Sequence, residues 1–296
     1  MDKQIFWLAS YPKSGNTLLR FILIALFFTD DGIFSFDKSK YISQFETVPH
    51  IKKNKEIFEN DYKKIGNIKI LYKYFEELQS KKCLNLKEDF IFLKTHAGLF
   101  KIDKYLFTRE IDTRGLIYVV RDPRDVCISW AKHNGWSVDE SINFMVNDFA
   151  IYSWPQLMND QEKFSEKENP KSFMSSWEKH VESWIKVNWR TPKLIIKYEE
   201  LVYEKRKTLE ILIKFFSINY NFKFKNLDQK IENIIKSTNF GEFQKYEEKH
   251  GFKEASEHNS FFSVGKKNQW KDKLNNSQLQ KIEKKFNKIM EKFDYK

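Results

Sequence analysis

"SYPKSGNTLLRF", residues 10–21, joins a short apolar run to a longer one through a lysine, a glycine and three small side chains bearing a hydroxyl or an amide. The run before it, "IFWLAS", is β-favouring, and residues 18–28 read as a buried helix. A loop that opens a helix in this way suits a phosphate. The first N–H groups of a helix have no internal partner and carry a partial positive charge. Gly15 would let the backbone approach an anion closely and Thr17 adds a hydroxyl donor, although a plain strand-to-helix turn accounts for Gly15 equally well. Lys13 precedes the glycine, so the spacing is not the G-x-x-x-x-G-K-[ST] of an ATP-binding loop.

Three more apolar runs follow: "FIFLK" (90–94), "GLIYVV" (115–120) and "KLIIKY" (193–198). Unbroken runs of this length fit strands covered on both faces, hence a parallel sheet. Helical patterns alternate with them, at 18–28, at 124–133 after the Asp122-Pro123 start, and at 201–216. The expected fold is α/β, three layers with a central parallel sheet flanked by helices, in a single domain over residues 1–296. Insert-like regions near 38–82, 137–171 and 241–264 interrupt the alternation. Ser137 with Glu140, and Ser277 with Gln280, spell capping boxes that start two further helices.

The chain of 296 residues carries a formal charge of +11, concentrated in a lysine-rich tail after residue 265. That charge favours an anionic ligand or surface, or simply a solvated helix face. The two cysteines, Cys83 and Cys127, have no metal or redox spacing and fit a reducing compartment. The longest apolar run is too short to span a bilayer and contains Arg20. A cytoplasmic protein without a transmembrane segment is expected.

In open parallel α/β sheets, ligands bind beyond the C-terminal ends of the strands. There this sequence places Lys13, Ser14, Gly15, Asn16 and Thr17 after the first run, and Lys94 and His96 in "KTHAG" after the second. Arg121, with Ser129 two helical turns later, follows the third, and Tyr198 the fourth. A histidine in such a place can act as a general base near neutral pH. An arginine fits phosphate with its forked donors. The other five histidines are expected to be structural.

In combination these segments resemble the sulfotransferases that use 3′-phosphoadenosine 5′-phosphosulfate (PAPS), most closely the cytosolic branch, whose architecture is similar to that of P-loop NTPases. "YPKSGNT" resembles that family's 5′-phosphosulfate loop, "KTH" its catalytic-histidine segment, and "YVVRDPRDVCIS" its 3′-phosphate motif. "SSWEKHVESW" (175–184) matches a packing element, "STNF" (237–240) falls where the family contacts adenine, and "GKKNQWK" (265–271) where it has Gly-x-x-Gly-Asp-Trp-Lys.

The resemblance implies sulfuryl transfer from PAPS to a small-molecule or lipid-like alcohol or amine, without a metal and without a nucleic-acid partner. His96 would take the acceptor proton, Lys13 would offset charge on the leaving oxygen, and Lys94 would be a second cation. Ser14, Gly15, Asn16 and Thr17 would hold the 5′-phosphate, Arg121 and Ser129 the 3′-phosphate, with Tyr198, Thr238, Phe240, Gly265, Lys266 and Lys267 completing the nucleotide site. Two departures stand out. Leu18 replaces a tryptophan that stacks on adenine, and Ser263-Val264 replace an Arg-Lys pair on the 3′-phosphate. Lys266 and Lys267 either compensate or face solvent. A nucleotide kinase-like protein and a nucleotide binder without turnover are the competing readings, and the oligomeric state, a homodimer included, is left open.

Overall fold

The computed structural model describes residues 4–86, 88–154, 169–252, 254–255, 260–262 and 265–295. A five-stranded parallel sheet, flanked by helices, has the order β2-β3-β1-β6-β9. Its strands are β1 (Ile5–Ser10), β2 (Ser43–Gln44), β3 (Ile91–Thr95), β6 (Thr113–Val120) and β9 (Lys193–Lys197). The expected α/β layering and its parallel sheet are what the structure has. Every residue of β1 is buried, which explains a run with no polar alternation. β1 pairs in parallel with β3, Ile5 opposite Ile91 through Ala9 opposite Thr95. One step further along that register, Ser10 meets His96.

The chain clusters into two compact units. The first comprises Met1–Tyr11, Gln44–Tyr118 and Phe144–Lys193. It contains helices α2 (Val48–Lys53), α3 (Ile68–Leu78), α4 (Lys81–Leu84) and α7 (Trp177–Ile185). It also holds two hairpins, β4 (Lys101–Ile102) with β5 (Tyr105–Leu106), and β7 (Ile151–Ser153) with β8 (Lys171–Phe173). Trp7, Phe45, Phe75 and Phe107 meet in its core, with ring centroids 5.2–5.9 Å apart along the chain of contacts.

The second unit comprises Pro12–Ser43, Val119–Asn143 and Leu194–Lys296. Its helices are α1 (Asn16–Phe27), α5 (Pro123–Asn134), α8 (Tyr198–Tyr203), α9 (Lys205–Tyr220), α10 (Leu227–Ser237), α11 (Phe240–His250), α12 (Trp270–Lys273) and α13 (Asn276–Lys292). Phe21, Phe34, Phe243 and Phe262 are all buried and pack together beneath α1. A last helix, α6 (Val138–Val146), starts at the expected capping box: the Glu140 N–H reaches Ser137 Oγ at 3.2 Å and the Ser137 N–H reaches Glu140 Oε2 at 2.7 Å.

Two expectations need correcting. α13 is capped by Asn275 with Gln278, not by Ser277 with Gln280. The 201–216 helix is two helices, α8 and α9, separated at Glu204, which lies outside helical geometry at φ −122° and ψ 38°. Among the described residues, no helix is long and apolar enough to cross a membrane.

Candidate functional site

The loop after β1 belongs to the second unit and has an unusual backbone. Lys13 sits at φ 63° and Gly15 at φ 98°, two left-handed conformations within three residues. Gly15 is the N-cap of α1 and has no side chain with which to cap it. A Cβ on Gly15 would lie 2.5 Å from the Tyr198 ring, so the close approach as well as the dihedral demands glycine. A lysine in the left-handed region is strained by about 1–3 kcal/mol, a cost that tends to persist at functional sites.

Arg121 fixes the loop. It is 5% exposed and its guanidinium donates to the Lys13 carbonyl at 2.9 Å and the Lys266 carbonyl at 3.3 Å. The same group lies 4.1 Å over the Tyr198 ring, a cation–π contact. Three expected site segments thus converge on one side chain. Burial pushes the Tyr198 hydroxyl up, partly offset by Arg121, so it is neutral near pH 7.

Two buried donors here have no partner: Ser14 Oγ and Arg121 Nε. Leaving such groups unmade costs about 1–3 kcal/mol each, so a native site holding them wants an acceptor from outside. A phosphate supplies several. The donor set, the glycine N-cap and the glycine cradle all suit a phosphorylated nucleotide.

The other residues expected at the nucleotide site also fall in the second unit. Asn16 and Thr17 are buried in the first turn of α1, and Ser129 is half-buried on α5. Gly265 (φ 62°) packs on Phe240: a Cβ there would come within 2.9 Å of the ring. Thr238 is fully buried and its hydroxyl donates to the Ile234 carbonyl at 2.6 Å, so it presents no free hydroxyl to adenine in this arrangement. Lys266 and Lys267 are exposed; Lys266 contributes its carbonyl to Arg121, and the Lys267 ammonium lies 4.8 Å over Tyr203. Ser263 and Val264 lie outside the described residues. The Lys13 ammonium sits 4.0 Å over Phe261.

Asp122 and Asp125 do not simply pair with Arg121 as a surface cluster. Asp122 holds Arg124 in a buried ion pair at 2.8 Å, and Arg124 also stacks 3.9 Å over Trp270. Asp125 accepts the Asn268 N–H at 2.7 Å and the Trp270 N–H at 3.1 Å, pinning the 265–270 segment to α5. Nothing local in "RDPRD" distinguishes these roles.

His96 and Lys94 belong to the first unit. Lys94 is buried within β3, one step before its end. His96 Nδ1 lies 2.9 Å from the Ser10 carbonyl oxygen and 3.2 Å from Ser10 Oγ. A carbonyl only accepts, so Nδ1 carries the proton and Nε2 keeps the lone pair that a base needs. Trp154 stacks on the imidazole at 5.4 Å and 26°.

The main chain around His96 is held from several sides. The Nε2–H of His180 donates to the His96 carbonyl at 3.0 Å, and His180 Nδ1 accepts from the Tyr118 hydroxyl at 2.9 Å. Burial pushes His180 down to about 4, which keeps the ring neutral and able to do both. Trp184 donates to the Ala97 carbonyl at 3.0 Å. Buried Glu46 accepts from the Ala97 N–H at 3.1 Å and from the Thr95 hydroxyl. Burial raises Glu46 to about 7, against these hydrogen bonds and the Lys94 charge. His180 had the look of a packing residue; its contact with the His96 segment could be found only in three dimensions.

Comparison with known proteins bears on the family and the fold. The sulfotransferase domain model matches residues 3–294. Solved structures with the same fold include mouse sulfotransferase SULT7A1 complexed with PAP, at 17% identity and a TM-score of 0.58, covering 97% of this chain and 85% of that one. Retinol dehydratase in complex with androsterone and the inactive cofactor PAP has 18% identity and a TM-score of 0.56, over 97% and 80% of the two chains. Its complex with retinol and PAP gives the same identity and TM-score over 98% and 81%. No curated protein matches significantly by sequence. With the domain spanning nearly its whole length, the chain belongs to the sulfotransferase domain family.

Proposed function

We propose that this sulfotransferase moves the sulfuryl group of PAPS to a hydroxyl or amine of a small-molecule or lipid-like acceptor. The observation that carries the donor half is the convergence of the Lys13 loop, Lys266 and Tyr198 on Arg121, with Ser14 Oγ and Arg121 Nε buried and unpartnered. PAP is the ligand named in the related structures, and androsterone and retinol, named with retinol dehydratase, support an apolar acceptor.

In the reaction, the S–O bond to the nucleotide breaks as a bond from sulfur to the acceptor oxygen or nitrogen forms. The acceptor's proton goes to Nε2 of His96, whose orientation is set by the Ser10 carbonyl. The Lys13 ammonium offsets negative charge on the departing oxygen, which requires it to leave the face of Phe261. Ser14, Asn16, Thr17 and the α1 N-terminus hold the 5′-phosphate, and Arg121 with Ser129 the 3′-phosphate. Lys94 supplies a second positive charge.

Transfer of labelled sulfate from PAPS to a panel of phenols, sterols, sugars, amines and lipids tests the reading. Tight binding of the bisphosphate with no transfer to any acceptor would turn it into a nucleotide binder. ATP competing more strongly than adenosine 3′,5′-bisphosphate would favour a kinase-like protein.

A further inference from the structure

One buried cation in the second unit is not claimed by any motif. Arg20 lies on α1, one turn beyond the phosphate loop, and is 4% exposed. Its Nη2 contacts Glu254 Oε1 at 2.5 Å, and its Nε is buried without a partner. The other oxygen of the same carboxylate, Oε2, accepts from the Thr17 hydroxyl at 3.2 Å. A single carboxylate therefore bridges Thr17, a residue of the phosphate loop, and Arg20.

An anion that bridges Thr17 and Arg20 is thus already visible, although it is a carboxylate. The place suits anions because it lies by the first turn of a helix whose N-cap, Gly15, offers no side chain of its own. A phosphate bound by Thr17 would meet the Glu254 carboxylate in the same place. Two anions that close repel, and a phosphate offers more charge and more acceptor oxygens than a carboxylate. Glu254 must leave, and Arg20 then faces the phosphate with its unfilled Nε–H still to satisfy.

Described residues near Glu254 are held by hydrogen bonds of their own, and the exchange asks the Glu254 side chain to swing. The Ala255 N–H closes a turn on the Phe252 carbonyl at 2.9 Å. The Phe261 and Phe262 N–H groups both donate to Glu247, at 2.6 and 2.9 Å, and Phe262 is buried in the aromatic cluster under α1.

We propose that Arg20 is a further phosphate ligand of the donor site, and that Glu254 holds its place until the nucleotide arrives. The assignment rests on the reading of this loop as the donor site. It adds a cation on the 5′-phosphate side, beside Thr17.

Calorimetric binding of adenosine 3′,5′-bisphosphate to the full chain tests it, with adenosine 5′-phosphate and adenosine as further probes. Glu254→Gln is expected to bind the bisphosphate about tenfold more tightly than wild type, and Arg20→Met about tenfold more weakly, as for a charged hydrogen bond gained or lost. The double variant, which leaves no unpaired buried charge, should show none of the gain from Glu254→Gln. The Arg20 effect should appear with adenosine 5′-phosphate and vanish with adenosine. Weaker binding by Glu254→Gln, or equal affinity in wild type and Arg20→Met, would overturn the assignment, as would an equal loss with adenosine. If the wild-type chain takes up no bisphosphate at all, the donor reading itself has failed, which no result among the variants can mimic.

Discussion

The Lys13–Thr17 loop and the end of β3 are both candidate reaction elements, yet they are built in opposite ways. Around His96 the main chain is tied: carbonyls of His96 and Ala97 to His180 and Trp184, the Ala97 N–H to Glu46. The loop carries two left-handed residues, a glycine N-cap with no side chain, and a buried Ser14 hydroxyl without a partner. A base must be aimed before the reaction begins, whereas a phosphate site is completed by its ligand. On the proposed roles, the difference teaches that rigidity suits a part that is to move a proton and unfilled valence a part that is to take a nucleotide.

Substitutions can break this contrast. The largest effect is expected from His96→Ala, with turnover lowered by about 10²–10⁴-fold and bisphosphate affinity kept. Steady-state kinetics beside calorimetry would show it, and retained turnover would remove His96 from the role. Next comes Arg121→Met, which unties the loop from Lys266 and Tyr198 and should weaken bisphosphate binding by about 10–100-fold. Unchanged affinity there would mean that the convergence on Arg121 is only structural.

Smaller effects sharpen the contrast. Ser14→Ala removes a buried hydroxyl that has no partner, so melting temperature should hold or rise while bisphosphate affinity falls about tenfold or less. A fall in both would show the hydroxyl is satisfied within the protein.

The last test is a pH slope. His180 and His50 are held down to about 4 by burial, from 6.5. The unfolded chain therefore takes up protons that the folded chain refuses. The stability they contribute is complete above pH 6.5 and is lost as pH falls toward 4. Glu46 has the opposite sign: its carboxyl, raised from 4.5 to about 7, penalises folding as pH rises through that window. Thermal melts across it should show a shallower acid-side loss for His180→Gln and a steeper one for Glu46→Gln. Parallel curves for all three proteins would contradict the burial of these groups.

Much of the frame was legible in residue patterns because burial on both faces leaves continuous apolar runs; Ile5–Ser10 emerged as a strand with the expected ends. The last helix shows where such reading stops. "NNSQLQ" contains both Asn275-x-x-Gln278 and Ser277-x-x-Gln280, and either box leaves Ile282 and Phe286 facing the core. The choice goes with a contact distant in sequence, Gln278 Nε2 donating to Asp139 at 3.1 Å. The site divides likewise. Lys13, Gly15 and Arg121 announce themselves through a phosphate loop and a motif, while Asp125, His180, Glu46 and Glu254 act through partners far along the chain.

The grip of Asp125 on the Asn268 and Trp270 N–H groups has a practical side. Lys266, in the same stretch, meets Arg121 through its carbonyl and not its side chain, so that side chain can be rewritten with little effect on how the stretch is held. That makes it a ready platform for grafting cations and, at the donor site proposed above, a means to retune how firmly a spent nucleotide is retained.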